Sequence, residues 1–441
     1  MSRVHLNVTP EIIALGAQRQ TQLCYLLVTI SAQSGEARAV NWAFVADASR
    51  SMRIPIVDEA QFRALIREGG AQETLVDGVP VWQLPASLPP ELRASVKSPL
   101  DHVGHALHTL LERLDNADRF ALIACAESAA VLTPSAPGDS RAQLVRGIDD
   151  LRQAHFGDAT NLSKGLQLGL DQLQRGRDNR RVDRLILLTD GFTEQPEACL
   201  ALAKEAAATN VAISTLGLGG EFQEQLLTEL ADITGGQAWM VRRPSDIPKA
   251  VAAELAAARA SAASALTLTV VGQHGALIRR ITRIQPTLSE LHEAQSRAAT
   301  VRPGEGSAPI MLLVELLAPA ETESRATIAE VTLAEQGRQI ATIPVTVRRY
   351  LHVPEAAPAV REAAAWANVA RLQTRARDQA AHDPAHAARL LTSVAARLDE
   401  LGATHLAETA RAQATAITNG ATSELALKEL RYATRRLGNI E

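Results

Sequence analysis

The sequence predicts an α/β protein: a doubly wound, mostly parallel sheet inserted into a β-sandwich and followed by a C-terminal helical region. Three textures predict it. Between about 37 and 262, short apolar runs alternate with helix-length segments, the pattern of right-handed crossovers and a sheet covered on both faces. From 263 to 352, and again in residues 1–36, the runs alternate at period two, as antiparallel strands do. From 353 to 441 the chain becomes rich in Ala, Leu and Arg, with apolar residues at spacings of three and four.

The elements follow in order. Val4 to Thr9 and Gln22 to Ser31 read as strands, and two strands alone make no stable sheet. The simplest inference is that residues 1–36 complete the sandwich of 263–352. Val40 to Ala46 is a strongly apolar strand, and an insertion of about 53–98 follows it. Leu100 to Leu114 reads as a helix, Arg119 to Cys125 as a strand, and Ala130 to Pro134 as a short strand whose Pro suits a sheet edge. Ser140 to Leu151 and Asn161 to Gln174 read as helices. Next come strand Arg184 to Thr189, helix Glu194 to Thr209, strand Val211 to Leu218 and helix Gln223 to Thr234. Strand Ala238 to Val241 and helix Ser245 to Ala262 close the unit. Leu266 to Val271, Met311 to Leu316, Thr327 to Leu333 and Gln339 to Arg348 read as sandwich strands. Val360 to Ala380, Pro384 to Leu401, Thr404 to Thr418 and Thr422 to Leu437 read as helices. Asp383-Pro384 starts the second of these as N-cap and first-turn Pro, and Gly402 ends it. Short connections favour antiparallel neighbours.

Composition bounds the function. The chain of 441 residues is long enough for two or three domains, and its 46% hydrophobic and 21% charged content is ordinary for a globular protein. A net charge of −4 gives no long-range pull on nucleic acid or an anionic membrane, and 3% aromatics leave few stacking platforms for bases. Cys24, Cys125 and Cys199 are too sparse for a disulfide framework and read as small core residues. No apolar run reaches the ~18 residues of a membrane span, and the N-terminus lacks the pattern of a signal peptide. A cytoplasmic protein is expected.

The informative motif is Asp47-Ala48-Ser49-Arg50-Ser51, directly behind the apolar strand 40–46. Ligand sites in open α/β sheets lie at such C-terminal strand ends. Two hydroxyls and a carboxylate in five residues suit a hard, oxygen-loving cation. Two further pieces strengthen the signal: Gly157-Asp158-Ala159-Thr160-Asn161 lies in a loop before a helical stretch, and Leu187-Leu188-Thr189-Asp190-Gly191 ends a second apolar strand. A DxSxS turn can also cap the next helix, with any cation incidental.

The order DxSxS, loop Thr, strand-end T-D-G resembles the metal-ion-dependent adhesion site of von Willebrand factor A domains, at Asp47, Ser49, Ser51, Thr160 and Asp190. The resemblance covers about residues 38 to 260. Two features depart from it: Arg50 stands where Gly is common, and about 46 residues separate the motif from the first long helix. The resemblance implies an open coordination position that accepts an Asp or Glu of a protein partner. Some relatives in bacteria and in the secretory pathway nest this domain in a β-domain.

As chemistry, Mg²⁺ favours six oxygens at about 2.0–2.1 Å. Ser49, Ser51 and Thr160 are assigned direct ligation. Asp47 and Asp190 would bind directly or through water and orient the hydroxyls. Mn²⁺ or Ca²⁺ would serve the same donors. The two carboxylates would neutralise the cation.

Other features stay open. The insertion contains a hairpin over Gln72 to Trp82 with its turn at Asp77-Gly78, and its Asp58, Glu59, Glu68, Glu73 or Asp77 could plug the open position from within. His102, His105 and His108 recur every third residue of a helix, a stripe that either binds Zn²⁺ or lies on a wet face. Arg50 is a solvated side chain or a charge that steers an acidic partner. Trp42 and Trp239 read as core, and Arg435-Arg436 as a solvated face or helix-end charge. The leading expectation is a non-enzymatic scaffold that captures an acidic residue through a loaded metal site. The alternatives are an assembly subunit with a purely structural metal, and a metal-dependent hydrolase, for which His155 is the only nearby candidate base. No P-loop is present.

Overall fold

The computed structural model describes residues 4–10, 14–16, 21–32, 38–54, 63, 72–76, 79–83, 97–153, 155–178, 180–260, 265–304, 309–319, 325–350, 356–421 and 423–436. The central sheet is built from β4 (Ala39–Asp47), β7 (Arg119–Cys125), β8 (Ala129–Pro137), β9 (Arg181–Thr189), β10 (Ala212–Leu218) and β11 (Ala238–Val241), in the order β11-β10-β9-β4-β7-β8. All neighbours are parallel except β7 and β8. β4 lies in the middle, which is why every residue from Val40 to Asp47 is buried. β8, with Pro134, is an edge strand, where a missing N–H costs no ladder bond.

Helices cover both faces. On one side α2 (Pro99–Glu112), α3 (Arg141–Gln153) and α7 (Ile247–Arg259) bury Leu107, Ile148 and Val251 against Trp42, Phe44 and Phe120. On the other, α4 (Leu162–Gly176), α5 (Pro196–Ala208) and α6 (Glu224–Thr234) bury Leu166, Cys199 and Leu230 against Val45, Leu187 and Ile213. The alternation of apolar residues on both strand faces therefore serves two cores. α4 approaches closely because Gly165 faces Val45 and Cys125; a Cβ there would lie 2.7 Å from Val45 Cγ1. Ser98 caps α2 in a reciprocal box with Asp101.

The sandwich has two antiparallel sheets. One orders β1 (Val4–Pro10), β3 (Gln22–Ala32), β16 (Ile310–Ala318), β13 (Leu277–Gln285) and β14 (Ser289–Ser296). The other orders β15 (Ala298–Val301), β12 (Leu266–Gly272), β17 (Arg325–Glu335), β18 (Arg338–Tyr350) and β2 (Ala14–Gly16). β3 pairs along β16 from Gln22↔Ala318 to Ile30↔Ile310. The N-terminal segment thus supplies strands to both sheets. Its β2 was not expected, nor were β13, β14 and β15: β13 (LIRRITRIQ) carries three arginines, and β14 is almost wholly polar.

The helical tail comprises α8 (Pro358–Ala380), α9 (Pro384–Glu400), α10 (Thr404–Thr418) and α11 (Glu424–Arg435). α8 packs Val360, Ala363 and Ala367 on Leu27, Ile284 and Leu313 of the sandwich, while its later half joins the bundle. α11 docks on the α/β unit: Tyr432 enters the core beside Phe222, and Lys428 Nζ donates to the carbonyls of Gly220 and Phe222 and lies 4.4 Å from the Phe222 ring.

Arg435 and Arg436 are not solvated. Arg435 binds Asp232 of α6 at 2.9 Å, and the same Asp232 binds the buried Arg283 of β13 at 3.0 Å. Arg436 lies over the Trp239 ring at 3.9 Å. One carboxylate therefore ties the α/β unit, the sandwich and the tail together. Removal of water from two guanidiniums is offset by a shared counter-ion and by Thr287 O, which accepts from Arg283 Nε. Trp239, partly buried, donates Nε1 to Glu254, whereas Trp42 is fully in the core.

Candidate metal centre

The site lies at the C-terminal end of the central sheet, where β4, β7 and β9 deliver their loops. β4 ends at Asp47, and the chain turns through Ala48 and Ser49 into the single turn α1 (Arg50–Arg53). Ala48 N donates to Cys125 O and Arg50 N to Asp158 O, so the DxSxS loop is pinned to the strand beside it and to the loop carrying Thr160. Asn161 N donates to Ala126 O, which holds that loop over the end of β7. β9 ends at Thr189, and Asp190 follows at the sheet end next to β4.

All five expected residues converge. Ser49 Oγ and Ser51 Oγ are 3.2 Å apart, and Ser51 Oγ donates to Asp190 Oδ1 at 2.7 Å. Thr160 Oγ1 donates to Asp47 Oδ2 at 3.4 Å. Asp47 Oδ1 also accepts from Ser49 N at 2.9 Å. Ser49 occupies the N-cap position of α1, yet its side chain makes no cap hydrogen bond. The hydroxyl is turned to Ser51 rather than to the helix, so the Ser49 side chain does not cap α1.

Thr189 is a site residue that the sequence reading quoted but did not select. Its Oγ1 donates to Asp47 Oδ2 at 2.5 Å and accepts from Gly191 N at 3.2 Å. The signal was its place directly before Asp190 at a strand end. Asp47 is fully buried, and burial raises its carboxyl above the usual range against the hydrogen bonds from Thr189, Ser49 and Thr160. Burial likewise pushes Asp190 up to about 6; the Ser51 hydrogen bond opposes this and the charge on Asp47 adds to it. Among the described residues no basic side chain offsets these two carboxylates, and a cation between them would do so.

The donors fit a hard divalent ion. Two oxygens at neighbouring corners of an octahedron with 2.0–2.1 Å arms are about 2.9 Å apart. The contacts among the five side chains run from 2.7 to 3.4 Å. Three hydroxyls and two carboxylates, with no nitrogen or sulfur, favour Mg²⁺-type over Zn²⁺-type chemistry.

The other candidates are not gathered. Among the described residues no three His, Cys, Asp or Glu side chains cluster to hold a metal, so the stripe His102, His105, His108 makes no such group. His155 is exposed, with Nε2 3.8 Å from Asp158 Oδ1. Arg50 is exposed at the rim. Of the insertion, the hairpin β5 (Gln72–Val76) and β6 (Val79–Gln83) is present. The turn Asp77-Gly78 and the side chains of Asp58, Glu59, Glu68 and Glu73 lie outside the described residues. Two exposed apolar side chains flank the site, Ile54 behind α1 and Phe192 behind Asp190. Among the described residues no helix is long and apolar enough to cross a membrane.

Comparison with known proteins agrees with this architecture. The family model for the von Willebrand factor type A domain matches residues 94–252, and that for the Sll0103-like, C-terminal alpha-helical domain matches residues 358–440. Thr160 and Asp190 lie inside the first span; Asp47, Ser49 and Ser51 precede it. The chain is 29% identical over 150 residues to protein sll0103 of Synechocystis sp., which is 34% of this chain and 35% of that protein. It is 25% identical over 155 residues to protein YfbK of Escherichia coli, 34% of this chain and 26% of that protein. The matched part is thus about a third or less of either relative. Among solved structures, a von Willebrand factor type A protein from Catenulispora acidiphila superposes with a TM-score of 0.74 at 15% identity, over 98% of this chain and 96% of that one. The ArnB paralog VWA2 from Sulfolobus acidocaldarius gives 0.55 at 14% identity, over 99% of both chains. At these identities the likeness is one of fold, and it extends over the sandwich and the helices.

Proposed function

This chain carries a von Willebrand factor type A domain and ends in an Sll0103-like helical domain, and from that premise we propose that it is a metal-dependent protein-binding scaffold rather than an enzyme. Ser49, Ser51 and Thr160 ligate the cation, Mg²⁺ or failing that Mn²⁺ or Ca²⁺, with Asp47 and Asp190 binding directly or through water. When bound, the ion supplies a Lewis-acid point with one coordination position open to a carboxylate. The observation that supports this most is the convergence of three hydroxyls on two carboxylates at the end of the sheet.

The protein's own residues do the rest. Thr189 and Ser49 N hold the Asp47 carboxylate in one orientation. Asp47 and Asp190 in turn orient the hydroxyl lone pairs inward. With two carboxylates the loaded site is near neutral, so an incoming Asp or Glu meets no net repulsion. Hydrolysis would want a base at the metal, and among the described residues the side chains that converge here contain no His, Lys or Cys. Domain boundaries near 37, 263 and 353 are part of this proposal, as is a cytoplasmic location.

Affinity capture from cell lysate with Mg²⁺, repeated with EDTA, tests the reading. Partners are expected to be lost with EDTA and also with the Asp190→Ala protein. Capture that ignores both treatments would leave the metal a structural role at most.

The insertion leaves the rim at Ile54 and returns at Lys97, just before α2. Because Ile54 directly follows α1, the proposal includes shielding of the open coordination site by this segment. Replacing about 54–96 with a short Gly/Ser linker is expected to keep the central sheet folded and to tighten binding of an acidic peptide to the metal-loaded protein. An occluding carboxylate worth about 1.4 kcal/mol would change that affinity about tenfold. Titration of both proteins by calorimetry measures it. Equal peptide affinity would reduce the segment to surface elaboration.

A further inference from the structure

A groove of about 880 Å³ runs between the α/β unit and the helical tail. One wall is Phe192, Leu200 and Phe222; the opposite wall is Ala381 at the end of α8 and Leu427 of α11. Phe192 is 61% exposed, the most exposed large apolar side chain of the described residues. It stands two residues beyond Asp190, a separation of at most about 7 Å along the chain. The groove therefore opens beside the metal site.

The two are joined mechanically as well. Thr193 Oγ1 accepts from Leu162 N, directly after the loop of Thr160 and Asn161, and Thr193 N donates to Gln223 Oε1 on the groove floor. The tail is held to the groove's other side by a buried ion pair. Glu224 is 7% exposed; its Oε2 accepts from Arg431, while Oε1 has no hydrogen-bond partner among the described residues. That oxygen is shut off from the groove, so Glu224 serves to hold Arg431 of α11 against α6 rather than to meet an occupant.

We propose that this groove is the second half of the partner site: it takes an aliphatic or aromatic side chain from the same short segment whose Asp or Glu reaches the metal. Resting on the metal-site reading above, the inference adds what that reading lacks, a source of sequence selectivity. A lone carboxylate on a cation selects poorly, because any exposed Asp or Glu presents the same group. An apolar residue two to four positions away, seated against the exposed Phe192 ring, restricts the partner to an acidic-plus-apolar motif. It also gives the helical tail a direct part in recognition, since half of the groove belongs to α8 and α11.

The test uses the full chain and a displayed library of random dodecapeptides with one fixed central Asp, panned in Mg²⁺ and eluted with EDTA. Enriched peptides are expected to share an aliphatic or aromatic residue at a constant spacing from the Asp. A synthetic copy of the most enriched one should bind at least tenfold more weakly to Phe192→Ser, which strips one wall, and to Ala381→Trp, which fills the groove from the other. Both positions are exposed, so neither change should weaken the fold, and Mg²⁺ affinity should be unchanged in both. EDTA-eluted peptides without such a residue, or with unchanged affinity for both variants, would overturn the groove and leave the metal site standing. No EDTA-dependent peptide at all would overturn the metal-site reading, and this inference with it.

Discussion

Asp47→Ala and Asp190→Ala are each expected to reduce Mg²⁺ or Mn²⁺ affinity at least about 100-fold, a loss of about 2.8 kcal/mol. Each removes one of only two charges that face the cation. The pair also separates binding from folding. Asp190 sits at the mouth, and its charge is disfavoured by burial and by Asp47, so the metal-free Asp190→Ala protein should melt no lower than the parent. Asp47 is fully buried and is the acceptor for Ser49 N and Thr189 Oγ1. Its replacement by Ala strands those donors, at about 1–3 kcal/mol. Mg²⁺ at 100 times its Kd should stabilise the parent by about 2.7 kcal/mol and neither variant. Calorimetry and thermal melts with and without Mg²⁺ measure both effects. Unchanged metal affinity in either variant would sink the ligand assignment.

Deleting residues 1–36 is expected to unfold the sandwich. β3 is the inner neighbour of β16, and Leu26, Leu27, Val28 and Ile30 are all buried. At about 1.5–3 kcal/mol for each apolar side chain, these four alone amount to roughly 6–12 kcal/mol, comparable to the whole stability of an ordinary domain at about 5–15 kcal/mol. The deletion also bares the β16 edge and takes Leu27 from beneath α8. Residues 263–352 should become protease-sensitive and the thermal transition should fall or split. A truncated chain that melts like the full one would show that the sandwich stands without these strands.

The sequence by itself determined most of the elements and pointed to the candidate site. Strands 40–46, 119–125 and 212–218 announce themselves because a central parallel strand is buried on both faces and must be apolar throughout. The Asp47-Ser49-Ser51 motif was legible because oxygens gathered at the end of a buried strand suit a hard cation, and the resemblance then pointed to Thr160 and Asp190, whose side chains meet it in the fold. The helix at 384–400 was legible from its cap and its apolar stripe.

Only the tertiary structure decided the rest. β13 and β14 escaped because Arg280 and Arg283 look like surface residues. In the fold Arg283 is buried against Asp232, and Arg280 meets Glu290 and Glu293 across the β13–β14 pair. Arg435 is the helix-end charge expected in the last turn of α11, but the solvated face was not borne out, since the counter-ion of Arg435 and the ring beneath Arg436 come from another unit. Thr189 was hidden in plain view, because a Thr at a strand end is ordinary until a buried carboxylate is seen accepting its proton. Periodicity reports which face of an element is dry. It cannot report which distant charge or hydroxyl will meet a polar side chain there, because that pairing is fixed by how the three units dock.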